Sequence, residues 1–415
     1  MQNPAIMKDF RKSSMTVKSS PNLTNGTSND SLKSDTLKNG SLSYETLTGA
    51  LSESMLPPDL TESTESKGWP VSLLSRDERE RQVERAFAGL YRWYVARSQK
   101  MRNWNPDSEF EWGKMRTDHS DDVVQLIEGF FAVEQYTPDY TSEILRIVRR
   151  SNGRSNFQLR WGAEEERHAN TWENALLFSR RRSPEAIEDY KGQLRNNNWT
   201  LPWEDPLHMM LYTVFQERAT QINYLNFAKI ARGESENPAF AGDADPVLAR
   251  ACTMLAVDEA AHYAFFLEGA RLYLYYQPEE TLQAIHDVIT HFAMPAQNII
   301  PNWPVVAETI YRAGVYGPRI FQRDVIGPVF DNLTVAGKKA LESGIKRTRE
   351  IPNDEGTMRS TALWDVFDPG EAERSVMRLH DKIGAYEASV GRAALDPFTF
   401  LPNPDWPTAQ DSAAN

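Results

Sequence analysis

The sequence predicts an all-α protein, a bundle of long helices around a buried pair of metal positions. Three observations predict it. Apolar residues recur at helical spacing over most of the chain from about residue 75, and no segment shows a convincing strand period. Gly, Pro and Asn clusters cut that pattern into helix-sized lengths. Two E-x-x-H motifs, Glu165 with His168 and Glu259 with His262, stand on two of those helices. Residues at i and i+3 project from one helix face.

The elements follow in order. Residues 1–66 are rich in Ser, Thr and Asn and poor in aromatics, so they read as a disordered tail. Lys8, Arg11, Lys12, Lys18 and the many hydroxyls are transit-peptide-like. Asp9, Asp30 and Asp35 interrupt that pattern, and a solvated tail is expected. A helix starts near Ser75, with acidic residues in its first turn and Val83, Phe87, Leu90, Tyr91 and Tyr94 at helical spacing. After the loop NWNPDSEFEWG, helices are predicted at about 120–150, 157–182, 205–232, 246–276 and 279–292. Shorter helices follow near 304–313 and 317–343, and another near 370–393. The proline-punctuated end, residues 396–415, is expected to be extended, which leaves 67–395 as the folded domain.

A chain of 415 residues with 40% hydrophobic content can bury a large core. Its net charge of −12 argues against nucleic acid as a partner. Cys252 is the only cysteine, which fits a reducing compartment and reads as a packing residue. No apolar run reaches about 18 residues, so no membrane-spanning helix is expected.

Two lone glutamates complete the pattern. Glu134 precedes the first pair, in EGFFAVEQYTPDY, and Glu217 lies between the pairs, in YTVFQERATQINY. One half-motif is therefore used twice: a lone Glu, then an E-x-x-H on the next helix. Pro138, four residues after Glu134, removes the helical partner of its carbonyl and predicts a local distortion. Glu217 shares its helix with Leu211, Val214, Ile222 and Leu225, where a carboxylate is costly unless paired or metal-bound. Glu164 and Asp258 stand at i+4 from the two histidines, so spacing alone does not choose the ligand of each pair. Each element alone is weak, and a lone E-x-x-H is commonly a surface ion pair. In this order they follow the ligand pattern of ferritin-like four-helix bundles. Four carboxylates and two imidazoles nearly neutralise two divalent ions and leave open positions. Oxygen and nitrogen donors suit iron or manganese.

These residues resemble the soluble acyl-[acyl-carrier-protein] desaturases over roughly residues 80–345. The resemblance rests on FQERAT at 215–220, EERH at 165–168, DEAAH at 258–262, and Glu134 four before a proline. MPA at 294–296 and GVY at 314–316 add to it. It implies a ferritin-like bundle with additional helices, and it selects Glu165 and Glu259 over Glu164 and Asp258. It further implies two carboxylate-bridged irons, an acyl chain on acyl carrier protein, insertion of a cis double bond with dioxygen, a ferredoxin-type electron donor and a homodimer. Thr220 matches the family's threonine beside the metals; the alternative is a hydroxyl bonded back to its own helix. Trp104, with Asp258 and His168, matches an electron route from the surface; packing is the alternative for one of eleven tryptophans. Met209 and Met210 replace smaller or aromatic residues of plant members, which leaves acyl length open. The tail and divergent loops favour a bacterial cytoplasm over a plant plastid stroma. A di-iron oxygenase or a non-catalytic iron-binding protein would share the ligand set. Length argues against storage, and FQERAT argues for desaturation. An acidic carrier protein needs a basic patch, for which Arg180, Arg181 and Arg182 or Arg146, Arg149 and Arg150 are candidates.

Overall fold

A computed structural model of the chain describes residue 71 and residues 74–347, 350–352, 358–360 and 366–395. The tail expected over 1–66 and the extended end expected over 396–415 lie outside the described residues.

The long helices are α1 (Arg76–Met101), α2 (Asp121–Glu134), α3 (Thr137–Val148), α4 (Asn152–Ser179), α5 (Pro184–Leu194), α6 (Pro206–Ala231) and α7 (Pro246–Tyr276). They are followed by α8 (Pro278–His291) and α9 (Trp303–Arg312). Next come α10 (Pro318–Ile320), a π-helical stretch (Phe321–Ile326) and α11 (Gly327–Leu333), then α12 (Lys338–Arg347) and α13 (Pro369–Ser389). Many starts share one local code. Ser183-Pro184, Asp205-Pro206, Asp245-Pro246 and Asp368-Pro369 each place a capping oxygen before a proline. The oxygen accepts an otherwise unmatched N–H, and proline at the first helical position gives up a donor that had no partner.

Four regions depart from the sequence expectation, one being the helix expected near 317–343, which is broken at residues 334–337, where Thr334 and Gly337 take left-handed backbone. The helix predicted at about 120–150 is two helices: α2 ends at Glu134, and α3 restarts at Thr137 with Pro138 in its first turn. Glu134 is therefore the last residue of its helix, beside a break that the proline imposes. α5 was not predicted; only Ile187 and Leu194 are buried on it, too few to mark a period. A pair of three-residue strands, β1 (Glu350–Pro352) and β2 (Met358–Ser360), pairs antiparallel outside the bundle. Three residues are too short for a recognisable alternation.

The helices that carry the expected ligands, α2, α4, α6 and α7, form a four-helix core, and other helices pack around it. α6 and α7 lie against each other along most of their length, and α4 packs on α1, α2 and α3. Close approach is made possible by glycine. A Cβ at Gly153 of α4 would lie 2.3 Å from the Phe87 backbone of α1, and one at Gly162 would lie 2.4 Å from Thr141 Oγ1 of α3. Leu211, Val214 and Ile222 of α6 are buried as expected, while Leu225 reaches the surface. α13 lies on α1, where Arg85 and Arg92 meet the buried carboxylate of Glu387. Cys252 is buried, and burial pushes its thiol up. Among the described residues no helix is long and apolar enough to cross a membrane.

Candidate metal centre

Six buried side chains from α2, α4, α6 and α7 meet in the core: Glu134, Glu165, His168, Glu217, Glu259 and His262. They fall into two overlapping sets. Ligand atoms of Glu134, Glu165, His168 and Glu259 lie within 4.8 Å of one another, and so do those of Glu165, Glu217, Glu259 and His262. Each set has its own lone glutamate and its own histidine. Glu165 and Glu259 belong to both.

Both histidines turn Nδ1 inward. His168 Nδ1 is 3.1 Å from Glu165 and 3.2 Å from Glu259. His262 Nδ1 is 2.9 Å from Glu165, 3.4 Å from Glu217 and 3.7 Å from Glu259. Both turn Nε2 outward to a carboxylate: Asp258 at 3.3 Å from His168, and Glu164 at 3.0 Å from His262. These are the two i+4 residues that spacing left open. Each helix's i+4 carboxylate serves the histidine of the other helix. A carboxylate that accepts Nε2–H leaves the Nδ1 lone pair facing the interior, which suits a metal-binding histidine.

The lone glutamates are held as well. Tyr224 donates its hydroxyl to Glu134. Trp161 Nε1 donates to Glu217 at 3.0 Å. Tyr94 donates to Glu164 at 2.7 Å. Arg102 reaches both Glu164 and Asp258, and Arg167 reaches Asp258 at 3.1 Å. Sequence reading assigned no role to Tyr94, Arg102, Trp161, Arg167 or Tyr224.

The electrostatics show a shortage of positive charge. Burial, then Glu165, push the Glu134 carboxyl well above the usual range. Burial and Glu259 do the same to Glu217. Burial alone would raise Glu165 too, but the adjacent imidazoles of His168 and His262 outweigh it and hold it at about 2. Burial opposes charge on both histidines, yet the acidic groups around them raise both imidazoles. Glu165 Oε1, Glu217 Oε2, both oxygens of Glu259, and His262 Nδ1 are buried without a hydrogen-bond partner. Each such atom costs roughly 1–3 kcal/mol unless something satisfies it. Two divalent cations would neutralise four carboxylates and bind these atoms, so the residues fit a dinuclear metal group.

The other expected residues sit at its edges. Trp104 Nε1 donates to Asp258 at 3.1 Å, and the Trp104 ring lies parallel to His168 with centroids 6.5 Å apart. Trp104 also lines a polar surface groove of about 560 Å³ with Arg102, Arg160 and Arg167. Thr220 donates to the Gln216 carbonyl of its own helix at 3.1 Å and also lines a small cavity. That cavity, about 30 Å³, is lined by Glu134, Glu165 and Glu259 together with Ile144, Trp199, Met209 and Tyr212. A second, about 20 Å³, shares Ile144, Met209 and Thr213 and continues among Phe87, Phe157 and Phe265.

Known proteins are similar in sequence to this chain. The acyl-[acyl-carrier-protein] desaturase DesA1 of Mycobacterium tuberculosis, itself described as putative, is 24% identical over 248 residues, which are 54% of this chain and 70% of that protein. The chloroplastic acyl-[acyl-carrier-protein] desaturase 4 of Oryza sativa subsp. japonica is 28% identical over 220 residues, 48% of this chain and 50% of that one. The X-ray structure of DesA2 from Mycobacterium tuberculosis H37Rv aligns with a TM-score of 0.41 at 18% identity, covering 61% of this chain and 93% of that one. The family model described as fatty acid desaturase matches residues 108–354, more than half of the 415, and the chain belongs to that family.

Proposed function

We propose that this chain is an acyl-[acyl-carrier-protein] desaturase whose domain spans residues 67–395. In this reading Glu134, Glu165, His168, Glu217, Glu259 and His262 hold two irons, and a cis double bond is placed in a saturated acyl chain. The observation that carries the reading is the pair of overlapping ligand sets sharing Glu165 and Glu259, next to an apolar cavity. Bound and reduced, the irons supply dioxygen activation. In balance, two hydrogens from the acyl chain, two electrons from a ferredoxin-type donor and two protons reduce dioxygen to two waters.

The chain's own residues have definite tasks. Glu165 and Glu259 serve both positions, so they fix the spacing between them. Asp258 and Glu164 fix the imidazole tautomers. Tyr224 and Trp161 aim the lone glutamates. The apolar walls formed by Ile144, Trp199 and Met209 would exclude water and hold an acyl chain beside the carboxylates, the positioning a desaturation needs. Ile144, Met209 and Thr213 line both small cavities, and of the three Met209 has the most flexible side chain, suited to give way for an acyl chain. Trp104, Asp258 and His168 offer a contiguous route from the groove for electrons. Thr220 can exchange its helix carbonyl for a ligand in the cavity.

In the two basic clusters, Arg181 is bonded to Asp121, Arg182 to Glu128, and Arg146 to Glu143 and Glu204. Arg149 and Arg150 are exposed at the end of α3, beside the cavity-lining Val148, and form the better docking patch for an acidic carrier. A homodimer in a bacterial cytoplasm completes the proposal.

The test is a panel of acyl carrier protein thioesters given to the reduced, iron-loaded protein with ferredoxin and its reductase. A product acid two mass units lighter, with an internal cis double bond, is expected. A hydroxylated acid without alkene moves the protein to the oxygenase reading. No product from any thioester removes the acyl-carrier reading.

A further inference from the structure

Six carboxylates are buried around the site, the four already assigned to metals and the outer pair Glu164 and Asp258. Two divalent ions offset the first four. The outer pair is met by two guanidiniums, Arg102 and Arg167, with side chains only 10% and 12% exposed. Their contacts are not equivalent. Arg167 reaches Asp258 at 3.1 Å and donates to the Arg102 carbonyl at 2.9 Å. Arg102 spans both arms. Its NH1 donates to Asp258 Oδ1 at 2.9 Å, and its NH2 donates to Glu164 Oε2 at 3.1 Å and to the Tyr94 hydroxyl at 2.6 Å. Asp258 in turn faces His168, and Glu164 faces His262.

We propose that Arg102 is a positioning residue for both metal positions at once, tying the two histidine arms to one rigid cation. This rests on the dinuclear reading above. Of the two outer carboxylates, Trp104 donates to Asp258 and Tyr94 to Glu164, and Tyr94 also accepts from Arg102. The geometry needs a planar fork, because one group must meet two carboxylates from two directions. Lysine carries the same charge as a point donor on a flexible stem and cannot hold both in that way. Arg102 lies outside the stretch matched by the family, residues 108–354.

The test loads the metal-free full chain with cobalt(II) and follows release to a chelator, with the visible cobalt spectrum as a second readout. Wild type is expected to hold about two cobalt ions, released in two phases. Tyr94→Phe should speed one phase and Trp104→Phe the other, which assigns them. Arg102→Gln should speed both phases by about tenfold or more, the usual scale for a lost outer partner of a metal ligand. Arg102→Lys should leave at least one phase fast. Helix content and thermal midpoint are measured alongside, because a merely structural loss would lower them without splitting the phases by arm. If Arg102→Gln is folded and changes one phase or none, the proposal is overturned. If Arg102→Gln does not fold, Arg102→Lys decides: two wild-type phases overturn the proposal. Wild type holding fewer than two cobalt ions would instead sink the dinuclear reading.

Discussion

His168 and His262 each use both ring nitrogens, one facing the carboxylate cluster and one facing an outer carboxylate. The two positions are therefore separable in their histidines and joined in Glu165 and Glu259. His168→Ala should leave about one iron per chain in place of about two and abolish turnover. Iron analysis and product assay check this; full iron content with full activity would contradict it. At this scale order and helical spacing, which are local, displayed Glu134, Glu217 and the two histidines, and the family resemblance chose Glu165 and Glu259 over Glu164 and Asp258. The sequence did not show what holds them. Tyr94 meets Glu164 across 70 positions, Trp161 meets Glu217 across 56, and Tyr224 meets Glu134 across 90. Such pairs leave no periodic trace. The role of Glu164 was hidden for the same reason, since it serves a histidine on the other helix, whereas Asp258 was placed beside Trp104 and His168 by the family resemblance alone.

Helix ends set where the ligands stand. Asp245 caps α7 by accepting from Val247 and Leu248, accepts the Arg116 N–H at 2.9 Å, and faces His119 Nε2 at 3.1 Å. Asp243, beside it, binds the Ser120 N–H and hydroxyl at the start of α2. One loop thus pins the starts of two ligand-bearing helices. Asp245→Ala should cost roughly 2–4 kcal/mol, from a lost cap plus buried donors left unmet. A lower urea midpoint at unchanged slope would show it, and a loss below about 1 kcal/mol would contradict it. The Gly, Pro and Asn clusters made α6 and α7 legible almost to the residue. The break after Glu134 was legible as a distortion at Pro138, though not as two helices. α5 was missed because a peripheral helix with Ile187 and Leu194 as its buried residues carries too little pattern.

For the whole molecule, the cluster couples stability to pH. The folded-state values of Glu134, Glu217, His168 and His262 are all raised. Groups of that kind contribute stability that is present below the unfolded values, 4.5 and 6.5, and is lost as pH rises through the folded ones. Glu165 runs the other way. Held at about 2, its contribution is lost only as pH falls well below neutrality, so it is constant across the neutral range. Metal-free protein should therefore melt at a lower temperature as pH is raised from about 6 to about 9, and metal loading should flatten that fall. Parallel curves for the two forms would contradict it. The all-α bundle was legible as a whole because its apolar pattern is long and sustained. The packing of α13 on α1 was not, since it depends on Glu387 meeting Arg85 and Arg92 across some three hundred positions.

Whether the core holds two metals between shared carboxylates is read by ferrous titration of the metal-free chain under anaerobic conditions. Binding should saturate at about two irons per chain, with proton release. Mössbauer spectra after oxidation should show two magnetically coupled ferric ions, because Glu165 and Glu259 belong to both positions. Saturation at one iron, or two ferric ions without coupling, would contradict the account.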